Sequence, residues 1–370
     1  MERIWDSLDQ YRGKIFEGTW PSIPVMFSIS VMNHGQNKAF TSLGKTTKTF
    51  TYAEADAEIR RISAYFQSLG IKKGDRIVIH GKNTPAWALA YLATLFCGAV
   101  VVPLDSQMPS ERVSQLGAFA GATIVCIDTD LLEKLHRDSW FDQLQAVIVL
   151  DESPDESYEC IWSVRSSTAY REIITVEDDL AAILFTSGTT GNEKGVMLTH
   201  GNFSSDVYQA GDPEFLSITS GDVFYALLPL HHSYSMTAVF LESLMHGCEL
   251  IFGSQMAVAK ILSDMREGHV TLFLAIPLIF NKLLAGLFKK VREKGLFTYI
   301  LVHIMLFING IARKVFKKNP GRKWFKTMLE GIGMYNIKLC ICGGGPLSPK
   351  VFKRYQQLGI DFIQGYGLTE

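Results

Sequence analysis

Between residues 52 and 150 the apolar periodicity switches back and forth between the helical and the extended repeat, and this switching restricts the chain to a small set of folds. The stretch YAEADAEIRRISAYFQSL places Ala55, Ile59, Ile62, Tyr65, Phe66 and Leu69 on one helical stripe, closed by Gly70 as a C-terminal cap. The pattern then predicts a strand at 76–80, a helix at 86–96 behind Pro85, a strand at 99–104, a helix at 110–120, a strand at 123–127, a helix at 131–135 and a strand at 146–150. Strand and helix in regular succession imply βαβ units and a mainly parallel sheet.

Residues 151–171, with acids, serines and Pro154, read as a surface connection and a subdomain boundary. A second series follows. Strands are expected at 181–185, 223–228, 249–252, 272–276, 338–342 and 361–364, and helices at 202–210, 236–246, 258–267, 277–288 and 349–358. The expected fold class is α/β, with two stacked α/β subdomains of mainly parallel sheet covering 1–180 and 181–370 and a basic, apolar insert at about 289–326. Hydrophobic residues at 47% and charged residues at 20% exclude a disordered chain. The six cysteines have no zinc-site spacing, and Cys340 and Cys342 read as two same-face positions of a strand. A reducing cytoplasm is expected, because the opening MERIWDSLDQYRGK carries acids and no apolar segment of a signal peptide.

The strand at 181–185 opens into Thr186-Ser187-Gly188-Thr189-Thr190-Gly191-Asn192-Glu193-Lys194-Gly195. Three glycines and four hydroxyl side chains in ten residues suit an anion. Glycine permits positive φ, so that backbone N–H groups form a concave nest, and hydroxyls add donors. Lys194 supplies a point charge. The competing reading is an ordinary surface loop of turn-forming residues. The stretch is not G-x-x-x-x-G-K-[ST], because Glu193 precedes Lys194 and Gly195 follows it, so a Walker-type ATPase is a poor match.

Two further motifs, Gly343-Gly344-Gly345-Pro346-Leu347-Ser348 and Gln364-Gly365-Tyr366-Gly367-Leu368-Thr369-Glu370, each follow a predicted strand. With all three in order, the chain resembles the acyl-adenylate-forming (AMP-binding) superfamily: acyl-CoA synthetases, luciferase-like enzymes and peptide-synthetase adenylation domains. FTYAEADAEIRRISAYFQSLGIKKGDRIVIHGKNTPAW, GAVVVPLD and LPLHHSYSM resemble weaker features of the same family, and the similarity runs from about Thr49 onward. The resemblance implies ATP and Mg²⁺ as requirements and CoA as co-substrate. It implies that Thr186, Ser187, Gly188, Thr189, Thr190, Gly191 and Lys194 embrace the ATP phosphates and that Gly344, Gly345 and Pro346 form the adenine wall. It further implies that Tyr366, followed by Gly367, stacks on adenine, that Thr369 bonds the α-phosphate and that Glu370 is the Mg²⁺ ligand. Lys194, His232 and Thr369 are the implied catalytic set, with His232 preferred to His231 as the histidine near the substrate carboxylate and acyl tunnel.

The segment 289–326 holds eleven basic residues and one acid, a local net charge of +10 that leaves the remainder at −11 against −1 for the whole chain. Its middle, FTYILVHIMLFINGIA at 297–312, is nearly all apolar but short of a comfortable membrane span of about twenty residues. A surface-lying helical hairpin is expected, with peripheral contact to anionic membrane at the inner face. A basic insert before Gly343 looks like the long-chain fatty acid–CoA ligase branch, which makes a fatty acid the expected substrate. No aromatic-interleaved motif supports nucleic-acid binding. The family continues past the position of Glu370 with an aspartate for the ribose, a hinge and a smaller domain carrying a lysine. The chain is therefore expected to be an incomplete fragment, inactive by itself. The alternatives are an aryl- or amino-acid-adenylating enzyme and a non-catalytic nucleotide- or acyl-binding module.

Overall fold

The computed structural model describes residues 4–44, 47–135, 139–151, 158–186, 193–212, 216–253, 255, 257–316 and 319–369. Fourteen strands lie among them: β1 (Lys38–Ser42), β2 (Lys48–Thr51), β3 (Arg76–His80), β4 (Val100–Leu104), β5 (Ala122–Ile127), β6 (Ala146–Val149), β7 (Glu159–Cys160), β8 (Leu180–Thr186), β9 (Lys194–Thr199), β10 (Val223–Ala226), β11 (Glu249–Phe252), β12 (Leu272–Ala275), β13 (Leu339–Cys342) and β14 (Asp361–Gln364). They form two seven-stranded sheets, ordered β7-β6-β5-β3-β4-β8-β9 and β14-β13-β12-β10-β11-β1-β2. All neighbours run parallel except β8 with β9 and β1 with β2.

Period-2 alternation sends each strand's side chains into two different cores, as sheets buried on both faces require. In β3, Ile77 and Ile79 enter the core between the sheets, while Val78 enters the core beneath the helix Ser110–Ala120. In β10, Phe224 and Ala226 enter the same inter-sheet core and Tyr225 faces the outer one, under the helices Val258–Glu267 and Pro277–Glu293. The helix Pro85–Phe96 lies in the inter-sheet core with all twelve residues buried. Thr84 caps it, its Oγ1 accepting from the Trp87 N–H at 3.2 Å, and Pro85 supplies a preset first-turn φ.

Three expectations are corrected. A boundary at residue 180 does not follow the sheets: β8 and β9 complete the first sheet, and β1 and β2 reach forward to pair beside β11 in the second. The reason is that residues 38–51 form a hairpin whose Phe40 fills the inter-sheet core. No element is expected from the pattern between residue 193 and the helix at 202–210, yet a strand lies there. KGVMLT forms β9, which returns antiparallel along β8 with Thr186 opposite Lys194. Finally, residues 297–312 do not fold back on themselves. They belong to one helix, Leu296–Phe316, which has no internal proline and follows the bend at Gly295 (φ 113°) after the helix Pro277–Glu293. Cys340 and Cys342 are both buried on one face of β13, as expected.

Candidate active site

In open parallel sheets the carboxyl ends of the strands leave backbone groups and loops free to meet a ligand. The carboxyl ends of β3 and β4 in the first sheet meet those of β10 and β11 in the second. Asn83, three residues past β3, ties them together: its Nδ2 donates to the Ala226 carbonyl (3.1 Å) and the Leu228 carbonyl (2.7 Å), and its Oδ1 accepts from the Leu230 N–H (3.0 Å). This clamp fixes the loop Pro229-Leu230-His231-His232. A cavity of about 130 Å³ opens at the seam, lined from both sheets by Lys82, Asn83, Trp87, Gln107, Pro229 and His231 among others.

The two histidines lie side by side with ring centroids 4.0 Å apart. His231 turns inward, its Nε2 3.9 Å from the Asp105 carboxylate, and burial followed by the neighbouring His232 lowers its pKa to about 4 despite that carboxylate. His232 faces outward, with its pKa also lowered by burial. Both rings are therefore neutral near pH 7. His231, not His232, lines the cavity at the seam.

Ser233, next in the chain, meets Thr369 with hydroxyl oxygens 3.2 Å apart. Tyr234 hydrogen-bonds the Ile341 carbonyl at 3.2 Å and lies flat enough on Gly343 that an added Cβ there would come within 2.6 Å of its ring. Gly344 adopts φ 71°, and Gly365 donates its N–H to the Cys342 carbonyl at 2.8 Å. The second and third glycine motifs thus converge on the HHSY turn. Gly344 and Pro346 are exposed, Gly345 is half-buried against Pro277, and Tyr366 (94% exposed) and Gly367 stand in solvent beyond β14. The helix after His232 opens into a π-helical stretch at Met236–Leu241, a distortion that accompanies functional sites.

Thr186 and Lys194 stand opposite each other at the head of the β8–β9 hairpin, with Lys194 exposed. Arg112 fixes the hairpin's approach by an ion pair to Glu193 at 2.8 Å. Ser187, Gly188, Thr189, Thr190 and Gly191, and the expected metal ligand Glu370, lie outside the described residues. Among the described residues no hydrogen bond or ion pair joins Thr186 or Lys194 to the second-sheet loops, and no three His, Cys, Asp or Glu side chains gather as a cation site. Sequence reasoning missed Asn83, Asp105, Arg112 and Tyr234. Asn83 and Tyr234 sit inside the quoted runs HGKNTPAW and LPLHHSYSM, but nothing local marks an asparagine as an inter-sheet clamp.

Comparison with known proteins agrees with this architecture. Residues 27–370 match the AMP-binding enzyme family. The 4-coumarate–CoA ligase CCL1 of Humulus lupulus is 31% identical over 240 residues, 63% of this chain and 44% of that protein. The feruloyl-CoA synthase of an Amycolatopsis species is 26% identical over 325 residues, 86% of this chain and 54% of that protein. Among solved structures, the inhibitor-bound N-terminal domain of FACL13 from Mycobacterium tuberculosis superposes with a TM-score of 0.72 at 22% identity, covering 94% of this chain and 76% of that one. The anthranilate CoA ligase AuaEII bound to anthranoyl-AMP gives 0.75 at 15% identity, covering 95% and 60%. The chain spans about half the length of the curated relatives it matches. On the family match, which extends over nearly all of its residues, the chain belongs to the AMP-binding enzyme family.

Proposed function

We propose that this chain carries the acid-activating site of an AMP-forming carboxylate–CoA ligase. One carboxylate oxygen attacks the α-phosphorus of ATP, the bond to the bridging oxygen breaks and pyrophosphate leaves. The thiolate of CoA then attacks the acyl carbon and AMP departs. The observation that supports this reading is the convergence of the Gly343–Ser348 and Gly365–Thr369 loops on Ser233 and Tyr234 at the carboxyl ends of the strands.

In this reading the chain's residues orient and neutralise, and none needs to remove a proton. A carboxylate is already ionised at neutral pH and has no proton to give up, so the imidazole of His232 serves as a hydrogen-bonding neighbour. Thr369 donates to the α-phosphoryl oxygens from a hydroxyl oriented by Ser233. Lys194 meets the departing pyrophosphate from the hairpin, with Thr186, Ser187, Gly188, Thr189, Thr190 and Gly191 around it. Gly344, Gly345 and Pro346 back the adenine, and Tyr366 with Gly367 covers it. Family membership implies Mg²⁺ as the charge-neutralising cation, and Glu370, which lies outside the described residues, is the residue that would hold it.

The substrate is proposed to be a fatty acid, supported by the apolar, cation-flanked helix Leu296–Phe316 near the second sheet. The hydroxycinnamate relatives favour a second reading, an aryl-propenoic acid. Acid-dependent ATP–pyrophosphate exchange by the intact protein, with acids from octanoate to palmitate beside 4-coumarate and anthranilate, separates the two. Thr369→Ala is expected to lower exchange by about a hundredfold. Exchange with no carboxylic acid at all would remove the ligase reading.

A further inference from the structure

The helix Leu296–Phe316 turns an apolar stripe to solvent in addition to the one it packs on the protein. Asn309 and Arg313 face the protein. Asn309 is fully buried and donates from Nδ2 to the Gln357 carbonyl at 2.7 Å; Arg313 donates to the Gln356 carbonyl at 3.1 Å and lies 3.6 Å from Asp361. Leu306, Val302 and Met305 pack inward on the core of the second sheet, and a second apolar stripe faces outward. Phe297, Ile300, Ile304, Phe307, Ile311 and Val315 recur at three- and four-residue spacing, with Phe297 81%, Phe307 65% and Val315 63% exposed. Twenty-one residues make this stripe about 30 Å long.

Cations lie at both ends of the stripe: Lys289, Lys290, Arg292 and Lys294 before it, Arg313 and Lys314 in its last turn. Between this helix and the helix Pro349–Leu358 runs an open groove of about 470 Å³, whose walls combine Phe307 and Ile311 with Arg313, Lys314 and Lys353. An apolar strip ending in a cationic notch matches the two halves of one molecule, the acyl chain and the phosphate of an anionic phospholipid. A second copy of the chain matches it less well, since a two-fold contact through the stripe would bring two segments of net charge +10 together. A membrane-crossing arrangement is opposed by the buried Asn309 and Arg313 contacts that hold the helix lengthwise on the fold.

We propose that Leu296–Phe316 is a membrane-docking helix that lies flat on an anionic phospholipid surface, its outward stripe sunk at the headgroup–acyl boundary and a lipid phosphate held by Arg313, Lys314 and Lys353. The docking stands apart from the ligase reading, and its test needs neither ATP nor acid.

The test is co-sedimentation of the protein with vesicles of phosphatidylcholine alone or mixed with phosphatidylglycerol. Binding is expected to the mixed vesicles, to weaken with salt, and to fall about tenfold or more in Phe297→Ser/Ile304→Ser/Phe307→Ser, whose positions are exposed and leave folding intact. Lys353→Gln is expected to reduce the preference for anionic vesicles severalfold while leaving circular dichroism unchanged. Equal pelleting of the parent and the triple variant would overturn the proposal. So would a concentration-dependent dimer in sedimentation velocity that the triple variant loses while vesicles bind neither protein, or retention on the membrane through alkaline extraction, which would indicate a span.

Discussion

Two apolar helices of this chain have opposite fates. Pro85–Phe96 has every residue buried between the sheets, whereas Leu296–Phe316, nearly twice as long, buries only Leu306 and Asn309. Composition does not separate them; the position of the few polar groups does. In the first helix Thr94 is satisfied within the helix by donating to the Ala90 carbonyl at 2.8 Å, while the hydroxyl of Tyr91 is buried without a hydrogen-bond partner. In the second, Asn309 and Arg313 find their partners on the neighbouring helix Pro349–Leu358, on the same side as the packed Val302, Met305 and Leu306, and the remaining apolar stripe is left outward. A buried polar group costs more when left unpaired than an apolar side chain costs when exposed, and that inequality sets the helix's rotation.

The largest expected effect separates the two helices directly. Trp87 is buried against Tyr91 and Phe240, with ring centroids 5.3 and 6.2 Å away. Trp87→Ala should lower the urea-unfolding free energy by about 3–5 kcal/mol, while Phe297→Ala should change it by no more than about 0.5 kcal/mol. Equal shifts would break the contrast.

Acid should act on the buried interior and leave the surface helix alone. Burial lowers His80, His200 and His231 to about 4, and His200 Nδ1 must stay unprotonated to accept from the Ile23 N–H at 3.2 Å. The unfolded chain takes up these protons first, near pH 6.5, so their contribution is complete above that pH and is lost as pH falls toward 4. Asp128 opposes them: burial raises it to about 6, so the folded chain gains its proton before the unfolded one does, and acidification through pH 6 to 4 adds stability. A net loss on the order of 5 kcal/mol between pH 7 and pH 4.5 is expected in urea titrations. Lysine and arginine do not titrate there, so vesicle binding measured above the unfolding transition should not follow the same curve.

The sequence revealed the strand–helix alternation almost completely because each element carries its own periodicity. Helix 52–69 and strand 76–80 were legible from spacing alone, and the structure places them at Tyr52–Ser68 and Arg76–His80. What escaped was set by distant partners. Lys194–Thr199 is short and half-exposed, and it becomes a strand only because β8 offers an edge. Residues 38–51 show no marked pattern, and they join the second sheet through pairing with residues some two hundred positions away. In the site, glycine motifs were visible because backbone geometry demands glycine, as at Gly344 with its positive φ. Asn83 was not, since its function lies in three carbonyl and amide groups on another sheet.

Asn83 also connects the buried helix to the site, because it immediately precedes the Thr84 cap. Asn83→Ala should cost roughly 1–3 kcal/mol, as it leaves the Leu230 N–H without its acceptor in a half-buried place. If the clamp positions the His231–His232 turn, the variant should also raise KM for the acid in pyrophosphate exchange. A variant with lowered stability and unchanged KM would confine Asn83 to packing.

The smallest effect tests the rotation of the surface helix. Asn309→Ala removes the donor to the Gln357 carbonyl and a second, longer contact to Asn319 Oδ1 at 3.2 Å, but it also removes a buried Oδ1 that has no hydrogen-bond partner. The gain and the losses partly cancel, and about 1 kcal/mol of destabilisation should remain in urea unfolding. Because the residue faces the protein, vesicle binding should stay within about twofold of the parent. If Asn309→Ala instead weakened vesicle binding as strongly as the outward serine substitutions do, Asn309 would be needed to hold the stripe outward. The polar contacts, and not the packing of Leu306, would then fix which face of the helix meets the membrane.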